Sequence, residues 1–272
     1  MRTLAHISDL HFGTERPLVV DALREDLLAL GPDLLVVSGD LTQRARRSEF
    51  LAARAFLDSL PFPRLVVPGN HDVPLDNLWM RVVRPYARYR EIIADDLRPV
   101  HRDAEMIVMG LDTTRPSLWK DGRVSREQIA ALSAEFCDAP KDVFRVLVTH
   151  HPFLPPTDSP TPSLVGRAGL ALEALESCGA ELMLAGHLHL GYHGDVRRHH
   201  LHLRRSILVA QAGTAVSRRT RGEPNSYNVV RLDWPHIEVE IRESAGGAFV
   251  PRVREGFVEK PAPHGVRIAA GP

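Results

Sequence analysis

Charge of one sign is what this chain lacks first. Its 34 basic residues are matched by 34 acidic ones, so the formal net charge is zero. Without a whole-protein field there is nothing to draw it towards nucleic acid or anionic lipid, and neither is an expected partner. Cysteine is nearly absent. Cys137 and Cys178 lie far apart, outside any CxxC or Cys/His zinc spacing. They read as two reduced, partly buried thiols; a disulfide is allowed but nothing calls for it. No apolar run approaches the ~20 residues that span a bilayer. The opening Met1–His6 leads straight into strand-like sequence without a secretory apolar stretch, so a soluble cytoplasmic protein is expected. Histidine breaks this plainness, with 14 in 272 residues. That excess is the one compositional pointer to metal chemistry.

The first half of the chain alternates. Strands are expected at 3–8, 34–38, 65–67, 105–111, 143–149 and 182–185, and helices at 18–30, 48–60, 125–136 and 170–178. Gly31-Pro32 and Pro61 stop the first two helices. Residues 76–97 read as one or two amphipathic helices carrying Trp79, Tyr86 and Tyr89. Strands spaced by such helices imply parallel pairing with helices on both sheet faces. Beyond Gly191 the strands at 199–205, 207–210, 227–232 and 236–241 leave no room for helices, which suits an antiparallel second sheet. Five prolines between Pro152 and Pro162 make an irregular loop there. One domain over 1–242 is expected, with 243–272 as a tail, edge strand or arm.

Five polar clusters each end an apolar run. They are Asp9-Leu10-His11, Gly39-Asp40, Gly69-Asn70-His71-Asp72, His150-His151-Pro152 and Gly186-His187-Leu188-His189. Any one of them reads as a cap or a turn. Five in order, all at the carboxyl ends of expected strands, converge on the ligand crevice of an open α/β sheet. Asp9, Asp40 and Asn70 offer hard oxygen, while His11, His150, His187 and His189 offer neutral nitrogen. Such a mixed set suits Mn, Fe, Zn or Co better than Mg or Ca. A carboxylate can bridge two ions ~3.5–4 Å apart. Two divalent ions against two carboxylates keep a net positive charge, which favours a phosphate-bearing substrate.

At these residues the chain resembles the calcineurin-like metallophosphoesterase superfamily, whose pattern is DxH, GD, GNHD, a later His and GHxH. The resemblance runs from Thr3 to about Asp233 with no block degraded. It implies a four-layer α/β/β/α sandwich with two mixed β-sheets. It also implies two divalent metal ions, one on Asp9, His11, Asp40 and His189 and the other on Asp40, Asn70, His150 and His187, with Asp40 bridging. His71 would not ligate but would donate a proton to the leaving group or stabilise the transition state. Gln43 stands where purple acid phosphatases place Tyr, and His71 where the lipid-A pathway pyrophosphatases carry Arg, which argues against both branches. Val37–Gln43, Gly110–Thr114 and Gln211–Ala215 resemble the class III cyclic-nucleotide phosphodiesterase branch. The expected substrate is therefore a small phosphodiester, with a nuclease or a phosphomonoesterase as alternatives.

Other residues carry two readings each. His151 would support the site or touch substrate. Asp112 either orients a ligand histidine or caps the Thr113-Thr114 turn. The basic runs 197–205 and 218–221 suit phosphate recognition, yet without interleaved aromatics a solvated face is favoured. Trp79, Tyr86 and Tyr89 would wall a base pocket or, more commonly, form core or homodimer contacts.

Overall fold

The computed structural model describes residues 1–154, 165–198, 203, 205–258 and 267–268. The first half contains β1 (Arg2–Ile7), α1 (Pro17–Leu30), β2 (Leu34–Ser38), α2 (Arg47–Asp58), β3 (Arg64–Val67), α3 (Leu78–Val83) and α4 (Ala87–Ile92). Then come β4 (Val100–Arg102), β5 (Met106–Leu111), α5 (Arg126–Phe136), β6 (Phe144–Thr149), α6 (Ala168–Ser177) and β7 (Leu182–Ala185). The rest is β8 (Tyr192–Asp195), β9 (Leu208–Gln211), β10 (Ser226–Asp233), β11 (His236–Ala245), β12 (Ala248–Val258) and β13 (Arg267–Ile268).

Local chemistry sets the helix ends. Pro17 opens α1, where a missing N–H costs nothing. Gly31 closes it in the left-handed region (φ 59°), its N–H returning to the Leu27 carbonyl. Ser125 and Gln128 form a reciprocal capping box on α5: Gln128 N donates to Ser125 Oγ (3.1 Å), and Ser125 N to Gln128 Oε1 (2.7 Å).

Two mixed sheets face each other. One has the order β13-β12-β11-β10-β1-β2-β3, the other β4-β5-β6-β7-β9-β8. Along β2 the side chains divide in a period of two. Leu34 and Val36 enter the core between the sheets, where they meet Leu4, Val108, Val146, Val148 and Leu184. Leu35 and Val37 face the helical side with Leu23, Leu27, Phe50 and Tyr89. This two-sided burial is why the strand reads as an unbroken apolar run. On the far side, Leu132, Phe136, Leu172 and Leu175 of α5 and α6 cover Leu147 and Met183 of the second sheet. The layers are helix, sheet, sheet, helix.

Several expectations change. Each sheet has helices on one face and the other sheet on its second face, not helices on both. The late strands do not make a separate antiparallel sheet: β10 pairs antiparallel with β1, Ala5 opposite Val229, and carries β11 and β12 onto the first sheet. β9 instead joins β7 in parallel. The boundary expected after residue 242 falls inside β11, and residues 248–258 are a full strand paired to it. Cys137 and Cys178 are not free thiols but a disulfide (Cα–Cα 4.2 Å). Each directly follows a helix, α5 or α6, and the packing of those two helices brings the ends together. The proline loop at 155–164 and most of the strand expected at 199–205 lie outside the described residues. Among the described residues no helix is long and apolar enough to cross a membrane.

Candidate metal centre

Every predicted cluster leaves its sheet at a carboxyl edge. Asp9 and His11 follow β1, Asp40 follows β2, and Asn70 opens a short 3-10 turn after β3. His150 follows β6, and His187 and His189 follow β7. Because the two sheets stack, both sets of strand ends meet at one rim. The backbone there is bent hard. Asp9 (φ 53°), His11 (46°), Asp40 (52°), His187 (78°) and His189 (62°) all occupy the left-handed region, five of the eight described non-glycine residues that do. Each costs on the order of 1–3 kcal/mol and persists only where surrounding structure enforces it. Gly39 (φ 91°) lies so close to its neighbours that a Cβ would fall 2.6 Å from His150 Nδ1 and 2.8 Å from Gly69 N.

The donors turn inward. His11 Nδ1–H donates to the Thr42 carbonyl (3.3 Å) and His150 Nδ1–H to the Ser38 carbonyl (2.8 Å), so both rings aim Nε2 at the centre. Thr214 Oγ1 donates to the Arg219 carbonyl (2.9 Å) and therefore accepts from His189 Nδ1 (2.6 Å), which frees His189 Nε2 in the same way. His187 approaches through Nδ1, 3.0 Å from Asn70 Oδ1 and 3.3 Å from His150 Nε2. His150 Nε2 is 3.4 Å from Asp40 Oδ1. His11 Nε2 lies 3.6 Å from both Asp9 Oδ1 and Asp40 Oδ2, and His189 Nε2 is 3.6 Å from Asp9 Oδ1. The donors of three groups (Asp9, His11, His189; His11, Asp40, His71; Asp9, Asp40, His150) each fall within 4.8 Å of one another.

The test of fit is the state of these atoms. Asp9 Oδ1 and His11 Nε2 are fully buried without any hydrogen-bond partner, a costly arrangement unless something else bonds them. They face each other and the neighbouring donors without touching, which is the geometry of a cage for cations. Electrostatics agree. Burial opposes ionisation of Asp9, yet the imidazoles of His189 and His11 hold its carboxyl well below the usual range. Asp40 is likewise held low against burial by His150 and His71. Burial lowers His187 and His189 to about 4, leaving them neutral. His150 goes the other way. Burial disfavours its charge, but Asp40 outweighs it and raises the ring to about 9. In the metal-free protein a proton on His150 thus balances part of the carboxylate charge.

Around this centre the supports are specific. Ser8 Oγ (2.7 Å) and His187 N (2.9 Å) both donate to Asp9 Oδ2. Asp72 receives Thr42 N (2.9 Å) and Gly69 N (2.9 Å), clasping the loops after β2 and β3. His151 accepts from Thr113 Oγ1 (2.8 Å) and donates Nε2–H to the Lys120 carbonyl (2.9 Å), with its ring centre 4.7 Å from that of His187. Asp112 caps its own turn through Thr114 N (2.8 Å). The three aromatics do not share a wall. Tyr89 is buried with its OH on the Val66 carbonyl, Tyr86 bonds Thr114, and Trp79 is exposed.

His71 stands at the mouth. Its N–H donates to Asp40 Oδ1 (2.8 Å), its Nδ1–H to the Gln43 carbonyl (2.7 Å), and its Nε2 accepts from Arg219 Nη1 (3.0 Å). Sequence reasoning left Arg219 on a solvated face and gave Gln43 no contact. The faint signal was a basic run following the paired histidines.

A chain with this fold and rim belongs to the calcineurin-like phosphoesterases: the family model matches residues 2–191. Members of that family work with a binuclear divalent metal centre. A glycerophosphodiester phosphodiesterase, GpdQ of Enterobacter lignolyticus (strain SCF1), is 30% identical over 163 residues. The match takes in 56% of this chain and only 57% of that protein. Among solved structures, a dimetal phosphatase from Danio rerio superposes with TM-score 0.64 at 16% identity, covering 92% of this chain and 98% of that one. Purple acid phosphatase PPD1 from yellow lupin (Lupinus luteus) seeds gives 0.64 at 12% identity, over 92% of this chain and 52% of its own. At such identities the likeness is one of fold.

Proposed function

We propose that this chain is a binuclear metal-dependent phosphodiesterase acting on small phosphodiesters. One ion is held by Asp9, His11, Asp40 and His189, and the other by Asp40, Asn70, His150 and His187, with Asp40 shared. The observation that carries this reading is the pair of orphaned buried atoms, Asp9 Oδ1 and His11 Nε2, at the centre of the converging donors. When bound, two ions supply an activated water and offset the charge that builds on phosphorus and the leaving oxygen. The chain's own part is to fix the donors by their outer hydrogen bonds, to keep His187 and His189 neutral, and to present His71 and Arg219 at the entrance.

Diester preference rests on the resemblance to the class III branch and on the likeness to the glycerophosphodiester phosphodiesterase. Of the metals the donor set suits, Mn, Fe, Zn and Co remain. The test is a single panel. Protein reconstituted with each ion is assayed on bis(p-nitrophenyl) phosphate, p-nitrophenyl phosphate, cyclic AMP, a glycerophosphodiester and short oligonucleotides. Turnover of small diesters above the monoester is expected. Activity on the monoester alone, or on oligonucleotides alone, overturns the proposal.

A further inference from the structure

Arg219 contacts the rim of the site, and its side-chain hydrogen-bond partners there are neutral. Its Nη1 bonds His71 Nε2 (3.0 Å) and approaches Gln43 Oε1 (3.4 Å). Among the described residues no carboxylate lies within ion-pair distance of it, although the arginines on β10 to β12 are paired. The segment beneath it is firmly held. Thr214 Oγ1 fixes the Arg219 carbonyl, Ser217 Oγ accepts from Arg219 N (3.2 Å), and Asn225 Nδ2 donates to the Thr214 and Ser217 carbonyls (3.1 and 2.8 Å). Arg219 is half-buried, as are His71 and Gln43, and the three form a partly open cluster.

The bonding fixes what His71 can do. A carbonyl only accepts and a guanidinium only donates, so His71 carries its proton on Nδ1, committed to Gln43, and its Nε2 lone pair is committed to Arg219. In that state the ring has no proton to offer towards the entrance. Arg219 has several N–H groups and a charge that no acid partner cancels among the described residues.

We propose that Arg219 is a catalytic residue that contacts the phosphoester directly, donating hydrogen bonds from its guanidinium to the ester's anionic oxygens. His71 and Gln43 are then positioning residues that aim it. A guanidinium does not release its proton, so it adds charge and hydrogen bonds only. This assignment rests on the reading of the site as a phosphoesterase and names the group that recognises the phosphate.

The experiment compares metal-loaded wild type with Arg219→Ala, Arg219→Lys, His71→Ala and the Arg219→Ala/His71→Ala double variant. Metal content, kcat/KM on bis(p-nitrophenyl) phosphate and calorimetric binding of inorganic phosphate are measured. The Thr214 anchor uses the Arg219 main chain, so Arg219→Ala should retain both metals. It should lose roughly 10- to 100-fold in both kcat/KM and phosphate affinity, as expected for a charged hydrogen bond. Arg219→Lys and added guanidinium ion should each restore part of the loss. The double variant should be no worse than Arg219→Ala, because His71 acts through Arg219.

Two-metal Arg219→Ala protein with both quantities within about threefold of wild type overturns the assignment. Losses that multiply in the double variant overturn the positioning role. If Arg219→Ala proves unstable, Arg219→Gln with both quantities within about threefold of wild type gives the same refutation. Wild type that hydrolyses the monoester alone, with phosphate binding and turnover still weakened in Arg219→Ala, refutes the diester reading and leaves this assignment standing.

Discussion

Gly39→Ala should damage this protein far more than alanine at an ordinary positive-φ glycine. Gly39 has φ 91°, where a Cβ costs about 1–2 kcal/mol in backbone strain. An added methyl would also press on His150 Nδ1 (2.6 Å) and Gly69 N (2.8 Å), well inside van der Waals contact. Relief means moving the imidazole off the Ser38 carbonyl or parting the loops after β2 and β3, a forced repacking of about 1–3 kcal/mol. The total is about 2–5 kcal/mol. Gly31 is the control: its φ is 59°, but nothing lies within 4 Å of its Cβ position, so Gly31→Ala should cost only the strain. Urea unfolding of both variants gives the energies, and elemental analysis after metal loading gives the consequence. Gly39→Ala should hold less metal because His150 is displaced, and Gly31→Ala should hold the full complement. Equal losses of stability, with full metal in both, would refute the packing argument.

Three further outcomes follow from the site and the sheet. Asn70→Ala removes the oxygen shared by His150 and His187, and should lose one metal equivalent and most activity; two equivalents by elemental analysis would contradict the assignment. Loading the metal-free protein at pH 7 should release a proton from His150, raised to about 9 by Asp40; calorimetry in buffers of different ionisation enthalpy measures it, and no buffer dependence would count against it. Glu240→Gln should cost about 2 kcal/mol at pH 7. Buried Glu240 resists its desolvation through Arg242 (2.8 Å), Arg254 and Arg231 (3.2 Å), which hold its carboxyl below its usual value. A depressed carboxyl stabilises above the unfolded pKa of 4.5, and that contribution disappears as pH falls through the folded one. The gap between wild type and Glu240→Gln should therefore close below pH 4.5, and a constant gap would show that the charge is not responsible.

Much of the fold was legible because burial writes directly into sequence. β2 is apolar on both faces, since one faces the other sheet and one faces helices, and its limits agree with expectation to the residue. The polar clusters that converge at the rim were legible for a different reason: short polar strings at the ends of apolar runs have few structural uses. What stayed hidden depends on partners remote in the chain. Nothing local tells β10 to pair with β1 rather than with the later strands, because its alternation suits either sheet. The Cys137–Cys178 link spans 41 residues and follows from how α5 and α6 pack. Arg219 meets His71 across 148 residues, and composition alone makes it one more surface arginine.

The rim costs stability in two ways at once. Five side chains sit on strained backbone, and two carboxylates with two orphaned polar atoms are packed where water cannot reach. Cations bound in the cage compensate only the second, through the donors, and do so in proportion to RT ln(1 + [metal]/Kd). The backbone strain is different: it is held by the strands behind each loop and by clasps such as Asp72 on Thr42 and Gly69. The sheets pay for orientation, leaving the metal-binding energy to act on affinity.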